Sequence, residues 1–232
     1  RPDDELTSES MAKFVDEFTT TIGIERFAVA GNSMGASVSG RFAMQYPNRL
    51  THLILVDGGN VMPPNMPDPH AFFYLVRTPV LREFLRLIPG RPVAEATLKA
   101  SFANQALVTP EMIDRYWELN RGPGIRMATR KRFSRGLEYY QAEDKFGRES
   151  LPKLTMPTLV MWGRQDKLLP VEAAELHAKL IPGAQLKIYD EGGHIIQEDL
   201  AERSAADVRT FLKAGPAAAP AGTIGVRGAP VR

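Results

Sequence analysis

A serine near the start of the sequence lies in a pattern typical of a catalytic nucleophile. Residues 31–35, Gly-Asn-Ser-Met-Gly, match the pattern Gly-x-Ser-x-Gly. A serine hydroxyl is a good nucleophile when a base removes its proton and the backbone presents its oxygen to substrate. The pattern provides the second condition between a strand and a helix, because the serine then lies on a sharp turn and the glycines leave room for neighbouring elements. Ser33 is therefore the candidate nucleophile.

Such a nucleophile requires an acid and then a histidine further along the chain, each in a loop that follows a strand. Asp166 follows the apolar run 158–162, and His194 follows the run 186–189. In a triad the histidine removes the serine proton, and the acid orients the imidazole and stabilises its charged form. Asp57 also follows an apolar run, so the acid is left open between Asp166 and Asp57. His194 is the candidate base, and the other histidines are expected to be structural or solvated: His52, His70 and His177.

The residues around the serine pattern predict alternating helices and strands. A helix capped by Thr7 or Ser8 is indicated by apolar residues at helical spacing: Met11, Phe14, Val15, Phe18 and Ile22. The run 27–30 predicts a buried strand that ends at the serine pattern. Residues 36–46, rich in small side chains, predict a helix that ends at Pro47. The run 53–56 predicts the next buried strand, and this order is typical of a parallel sheet with crossover helices.

The pattern changes between about residues 60 and 150. Short helical patterns broken by Pro and Gly, with many aromatic residues, favour a helical insertion there over a continued sheet. Strands resume at 158–162 and 186–189, separated by a helix that ends at residue 180. A last helix is predicted over 200–212, and the Ala-, Pro-, Gly- and Arg-rich tail from residue 215 is predicted to be disordered.

Length and composition exclude several classes of protein. The 232 residues, 44% hydrophobic and 24% charged, are enough for one domain with a sizeable core, or for a domain plus a small lid. Cysteine is absent, which excludes disulfides, thiolate metal sites and a cysteine nucleophile. No apolar run reaches the ~20 residues of a membrane-spanning helix. The first residues lack the features of a signal peptide, so a cytoplasmic location is expected.

The net charge of the sequence indicates which kinds of binding partner are expected. With 29 basic and 27 acidic residues the net charge is close to zero, and neither a nucleic acid nor a membrane is predicted as a partner. The basic residues between 126 and 135 are interpreted as a solvated helix face. We expect a small-molecule substrate without a cofactor or metal, and a homo-oligomer is left open.

Three segments resemble the α/β-hydrolase superfamily: FAVAGNSMG at 27–35, WGRQDKLLP at 162–170 and GGH at 192–194. The resemblance covers about residues 5–60 and 150–212. It implies an α/β-hydrolase fold with a mostly parallel sheet and a helical cap, and Ser33, Asp166 and His194 as the catalytic triad. The expected division is a hydrolase core at 1–60 and 151–214, a helical cap at 61–150, and a disordered tail at 215–232.

Within this superfamily, GNSMG is similar to the C–C bond hydrolases that cut meta-cleavage products of aromatic degradation. Ala36 departs from the second glycine often found after this pattern, and Ile195 departs from the tryptophan typical after the histidine. The expected function is hydrolysis of a small ester or related carbonyl compound through an acyl-enzyme. A C–C bond hydrolase is the alternative, in which a cap arginine such as Arg126 or Arg130 would bind the substrate carboxylate.

The resemblance also implies a departure at the N-terminus. Superfamily members begin with about four more strands and a His-Gly-type loop that donates one N–H to the oxyanion. The sequence is therefore expected to be a fragment that lacks those strands, with the strand before Ser33 at an exposed sheet edge. The backbone N–H of Met34 is then the oxyanion donor that can be named. A truncated, non-catalytic binding module or pseudoenzyme is the alternative from another class.

Overall fold

The computed structural model describes residues 6–64, 90–122 and 137–214, together with residues 124, 125, 128, 131 and 135. The first part contains α1 (Ser8–Thr21), β1 (Phe27–Asn32), α2 (Met34–Gln45) and β2 (Leu50–Val56). Three helices follow: α3 (Gly90–Ser101), α4 (Pro110–Leu119) and α5 (Leu137–Ser150). The last part contains β3 (Thr158–Gly163), α6 (Glu172–Leu180), β4 (Gln185–Tyr189), α7 (Ile196–Asp199) and α8 (Ala201–Lys213).

The described strands form one parallel sheet in the order β1-β2-β3-β4. One row of paired residues crosses the whole sheet: Ala30, Ile54, Leu159 and Gln185. Because neighbouring strands run in the same direction, their carboxyl ends lie at one edge of the sheet. The loops that carry Ser33, Asp57, Asp166 and His194 all leave from that edge. The predicted α/β fold with a parallel sheet is confirmed.

The central strands are buried on both faces, as their continuous apolar sequences predict. Leu55 of β2 and Trp162 of β3 belong to the apolar cluster that also contains Phe42 of α2 and Ala173 of α6. A second cluster contains Phe211 of α8 and the alternate residues of the two strands: Ile54, Val56, Leu159 and Met161. Successive side chains of a strand point to opposite faces, so helices cover both sides of the central strands β2 and β3.

Strand β1 lies at the edge of the sheet and is covered on one side only. Phe27 and Val29 are partly buried against the cluster of α2, whereas Ala28 and Ala30 are exposed. An apolar groove of about 300 Å³ runs beside β1, between Ala30 and Val208 of α8. The strand before Ser33 therefore occupies an exposed edge among the described residues, as the sequence predicts.

Helix α1 forms as predicted, but the residues that it buries are not the large apolar residues of its sequence pattern. Thr7 caps the helix by accepting a hydrogen bond from Ser10 N at 2.9 Å. Ala12 and Thr19 are buried where α1 packs against α2, a contact that small side chains permit. The larger apolar residues face solvent, with exposed fractions of 65%, 52% and 52%: Phe14, Phe18 and Ile22.

The described part of the region from 60 to 150 contains α3, α4 and α5 and no strand. The division into core and cap stays a prediction, because residues 65–89 and several positions between 123 and 136 lie outside the described residues. The predicted disordered tail at 215–232 also lies outside them. Every helix in the described ranges is too short or too polar to traverse a bilayer.

Candidate active site

Ser33 occupies a strained turn between β1 and α2. Its backbone has φ 53° and ψ −115°, a conformation that non-glycine residues rarely adopt. Its N–H donates to the carbonyl of Val56 at 2.8 Å, which fixes the turn to the end of β2. A Cβ on Gly31 would lie 2.1 Å from the Gly35 carbonyl carbon, and one on Gly58 would lie 2.4 Å from the Ser33 carbonyl oxygen. The glycines therefore permit the close packing that this turn requires.

His194 and Asp166 form a buried pair in the loops after β4 and β3. The distance between His194 Nδ1 and Asp166 Oδ2 is 2.8 Å, and their side chains are 7% and 0% exposed. The other carboxylate oxygen accepts hydrogen bonds from the N–H groups of Leu168 and Leu169, at 2.7 and 3.0 Å. A carboxylate held in this way makes Nδ1 the protonated nitrogen of a neutral ring. Nε2 is then the nitrogen that can accept a proton.

Asn32 connects the serine turn to the histidine loop. Its side-chain amide donates to the backbone carbonyl of His194 at 2.9 Å and to that of Val56 at 3.3 Å. The residue before Ser33 is therefore in direct contact with the backbone of His194. Among the described residues, Ser33 Oγ makes no hydrogen bond to His194 or to any other group. Such hydrogen bonds often form only when substrate is bound.

Asp57, the other candidate acid, is bound to main-chain groups instead of to the imidazole. It is fully buried at the end of β2, and its oxygens accept hydrogen bonds from Gly163 N at 2.7 Å and Ile196 N at 3.5 Å. Burial raises the pKa of Asp57 from 3.8 to about 7, and the negative charge of Asp166 adds to the rise. The structure thus gives the histidine contact to Asp166, while Asp57 links the β3 and His194 loops.

His177 is completely buried in α6 and binds main-chain groups through both ring nitrogens. Nδ1 donates to the carbonyl of Ala173 at 2.7 Å, and Nε2 accepts from Asn60 N at 3.0 Å. Burial lowers the pKa of His177 from 6.5 to about 4, which keeps the ring neutral. This ring fixes the loop that follows β2 and carries Asp57.

Of the other residues that the sequence singles out, the structure describes His52 and Met34. His52 is 5% exposed and packs edge-to-face on Phe211, with ring centroids 5.1 Å apart, in a structural position. Met34 is the first residue of α2, directly after Ser33, and is 40% exposed. Three predicted residues lie outside the described residues: His70, Arg126 and Arg130.

Two residues that hold the site together, Asn32 and Asp199, are not indicated by the sequence pattern. Asn32 stands at a variable position of the serine pattern, and Asp199 accepts a hydrogen bond from Gly193 N at 2.8 Å. A polar side chain next to the nucleophile is a signal that could have drawn attention to Asn32. In the described part of the chain, no group of three or more His, Asp or Glu residues is arranged to hold a metal ion. The apolar groove beside β1 includes neither Ser33 nor His194.

The parallel sheet, the strained serine turn and the buried acid–histidine pair together define a known class of fold. Residues 1–200 match the family model described as the alpha/beta hydrolase fold, and the chain belongs to that family. The family resemblance inferred from the three sequence segments is thereby confirmed.

Curated relatives and solved structures place the chain near several enzymes. It is 29% identical over 200 residues to a 2-hydroxy-6-oxononadienedioate/2-hydroxy-6-oxononatrienedioate hydrolase from a Pseudomonas species, covering 82% of this chain and 64% of that protein. It is 28% identical over 207 residues to the dihydrolipoyllysine-residue acetyltransferase component of the acetoin cleaving system from Cupriavidus necator, covering 89% of this chain and 50% of that protein. The chain therefore spans less than two thirds of either relative.

A similar solved structure is the meta-cleavage product hydrolase from Pseudomonas fluorescens. The TM-score is 0.75 at 19% identity, and the match covers 91% of this chain and 74% of that one. At this level of identity the similarity concerns the fold.

Proposed function

We propose that this protein is a serine hydrolase in which Ser33 is the nucleophile, His194 the base and Asp166 the acid. The observation that carries the proposal is the 2.8 Å contact of the buried His194–Asp166 pair, held beside the strained Ser33 turn by Asn32. An acid, a base and a nucleophile in these roles form the arrangement that cleaves carbonyl compounds in unrelated folds.

In the proposed reaction, the Ser33 oxygen attacks the substrate carbonyl while its proton passes to His194 Nε2. Asp166 holds the ring through Nδ1 and stabilises the imidazolium that forms. The Met34 N–H, at the start of α2, donates to the oxyanion, where the helix dipole also favours negative charge. The imidazolium then protonates the leaving group, and a water molecule activated by the same histidine hydrolyses the acyl-enzyme.

We propose a small ester or related carbonyl compound as substrate. The support is the general chemistry of the site, which activates a serine for attack on an acyl carbon. A panel of p-nitrophenyl esters of increasing acyl length would measure the preference, and an optimum at short chains is expected.

Labelling by a fluorophosphonate probe tests the nucleophile. We expect wild-type protein to be labelled and Ser33→Ala to lose both label and ester hydrolysis. Ser37→Ala is the matched control, because Ser37 lies one turn further along α2 and its hydroxyl binds the carbonyl of Gly59 at 2.6 Å. Label retained in Ser33→Ala would refute the assignment of Ser33. A folded wild-type protein that takes no label would favour the binding module or pseudoenzyme.

A second candidate function is the hydrolysis of a C–C bond in a vinylogous keto-acid. It is favoured by the similarity to the Pseudomonas relative, which is named as a hydrolase of 2-hydroxy-6-oxononadienedioate and 2-hydroxy-6-oxononatrienedioate. An arginine such as Arg126 or Arg130 would bind the substrate carboxylate. We expect turnover of such dienes, with a raised KM in Arg126→Ala or Arg130→Ala. Good ester turnover without any diene turnover would exclude this candidate.

A further inference from the structure

We propose that Asp199 is a positioning residue that joins the loop of His194 to the α3–α4 segment (residues 90–119), so that packing in this segment sets the position of the imidazole. The inference rests on the proposed function, since it concerns the same histidine. Asp199 is the last residue of α7 and is 7% exposed.

The carboxylate of Asp199 accepts three main-chain hydrogen bonds from two distant parts of the chain. Oδ2 accepts from Gly193 N and from Ala103 N, both at 2.8 Å, and Oδ1 accepts from Asn104 N at 3.1 Å. Gly193 directly precedes His194, while Ala103 and Asn104 lie just after α3. A carboxylate can serve three donors at once because both oxygens only accept. Asp199 therefore connects the two segments through one buried side chain.

Two further bonds join the same segments. The N–H of His194 itself donates to the carbonyl of Ser101, the last residue of α3, at 2.7 Å. The hydroxyl of Tyr116 in α4 donates to the carboxylate of Glu198, next to Asp199. The backbone of the candidate base is thus fixed directly to the end of a helix outside the sheet.

The side chains after His194 belong to two different apolar clusters. Ile195 packs with Leu98, Phe102 and Ile113 of the α3–α4 segment. Ile196 packs with the cluster on the α8 face of the sheet. The histidine loop is therefore held between the α3–α4 segment and the sheet.

The backbone of the His194 loop lies so close to the α3–α4 segment that there is no space for a side chain between them. A Cβ on Gly193 would lie 2.3 Å from the carbonyl oxygen of Ser101 and 2.7 Å from Ala103 N. We therefore expect a shift of the α3–α4 segment toward the loop to move Gly193 and His194 with it. Misplacement of a catalytic group by about 1 Å can lower a rate by about 10².

Asp199→Asn is the variant that tests the connection. The carboxamide offers one acceptor oxygen and turns its NH₂ toward an N–H donor, so at least one of the three bonds is lost. We expect amide hydrogen exchange at Gly193, His194, Ala103 and Asn104 to accelerate by about tenfold or more. We also expect the downfield Nδ1–H proton signal of His194 to broaden. The kcat for p-nitrophenyl acetate should fall by about 10- to 100-fold, with KM changed by less than about threefold.

Glu202→Gln is the matched control, because Glu202 is an exposed acid in the first turn of α8. It loses one negative charge near the same loop and should leave exchange, the imidazole signal and kcat unchanged. Where Asp199→Asn does not fold, Tyr116→Phe removes the bond to Glu198 alone. We then expect the same changes in amide exchange, in the His194 Nδ1–H signal and in kcat, but of smaller magnitude.

A double-mutant cycle tests whether packing is transmitted through Asp199. Ile113→Ala opens a cavity in the apolar cluster of the α3–α4 segment, where Ile113 is 5% exposed. We expect it to lower kcat several-fold in the wild-type background and to have little further effect in Asp199→Asn, since coupled residues are non-additive.

The outcomes separate this inference from the proposed function. Unchanged exchange and imidazole signal in a folded Asp199→Asn protein would overturn the inference, and so would a normal kcat despite faster exchange. Wild-type protein that neither takes a fluorophosphonate label nor hydrolyses esters would refute the proposed function. In that case the exchange and imidazole signals of the variants still decide whether Asp199 holds His194.

Discussion

His177 and His194 are both buried, at 0% and 6% exposure, and the regions around them hold the ring in different ways. In the His177 region, main-chain groups occupy both nitrogens, from Ala173 within α6 and from Asn60 in the loop after β2. In the His194 region, the carboxylate of Asp166 contacts Nδ1, and Asn32 and Ser101 bind only the backbone of the residue.

The difference explains why burial by itself does not identify a catalytic histidine. The His177 ring lies between the Ala173 carbonyl and the N–H groups of Asn60 and Val61, so it cannot take up a proton without losing a hydrogen bond and stays neutral. A ring beside a carboxylate gains stabilisation when it becomes charged. Under the proposed function, the partner of Nδ1 therefore distinguishes the structural ring of His177 from the proposed catalytic ring of His194.

The largest expected difference between the two regions is in catalytic activity, and it is measured by replacing each histidine with glutamine. His194→Gln removes the proposed base, so we expect kcat/KM for p-nitrophenyl acetate to fall by about 10⁴-fold. The melting temperature should change little, because the loop stays fixed through its backbone. Steady-state kinetics and a thermal melt provide the measurement. A loss of less than about tenfold would contradict the role proposed for His194.

The matching variant, His177→Gln, is expected to lower the stability of the fold and to leave activity nearly unchanged. The amide cannot reproduce both bonds of the ring, and each buried group left unpaired costs about 1–3 kcal/mol. We expect the free energy of unfolding, measured with urea, to fall by about 2–3 kcal/mol. The kcat of the folded fraction should stay within a few-fold of wild type. An unchanged unfolding midpoint would show that the His177 ring is dispensable.

The pH dependence of stability is the smallest of these expected effects, at about 1.4 kcal/mol per pH unit for one proton. The pKa of His177 is lowered to about 4, so between pH 6.5 and 4 the unfolded chain binds a proton that the native protein does not. Acidification there destabilises the fold. The pKa of Asp57 is raised to about 7, so the native protein binds the extra proton between pH 7 and 4, and acidification stabilises the fold.

The two contributions oppose each other in wild-type protein, and single variants should expose them. Asp57→Asn is expected to lose stability more steeply than wild type from pH 6.5 to 4.5. His177→Gln is expected to gain stability, or to lose less, over the same range. Urea unfolding at a series of pH values measures both slopes. Parallel slopes for the two variants would show that neither group is coupled to folding in this way.

The sequence predicted the elements that local patterns determine. The four predicted strands lie within β1–β4, and the loops after them carry Ser33, Asp166 and His194 as expected. Apolar runs bounded by Gly and Pro, and the order of nucleophile, acid and histidine, are local signals. The choice between Asp166 and Asp57 is different, since both follow buried strands and only the folded chain shows which carboxylate reaches the ring.

Other features depend on tertiary contacts that spacing does not reveal. The apolar spacing of α1 predicts a helix, yet Phe14 and Phe18 face solvent because α2 packs against its small residues. The sequence does not predict the short helix α7, and the role of Asp199 depends on N–H donors 96 and 95 residues away in sequence. The resemblance to a family supplied the fold, but not these contacts.

The tight approach of main-chain segments at the strand ends has a consequence for how the gene can vary. Any side chain at Gly31, Gly58, Gly163 or Gly193 would meet backbone atoms within 2.1–2.4 Å. In a saturation library selected for soluble expression, these codons should therefore tolerate no replacement, even alanine. Positions such as Ala28 and Ala30, on the open side of β1, should accept many. The pattern of permitted codons would thus trace the strand-end edge of the sheet without any measurement of activity.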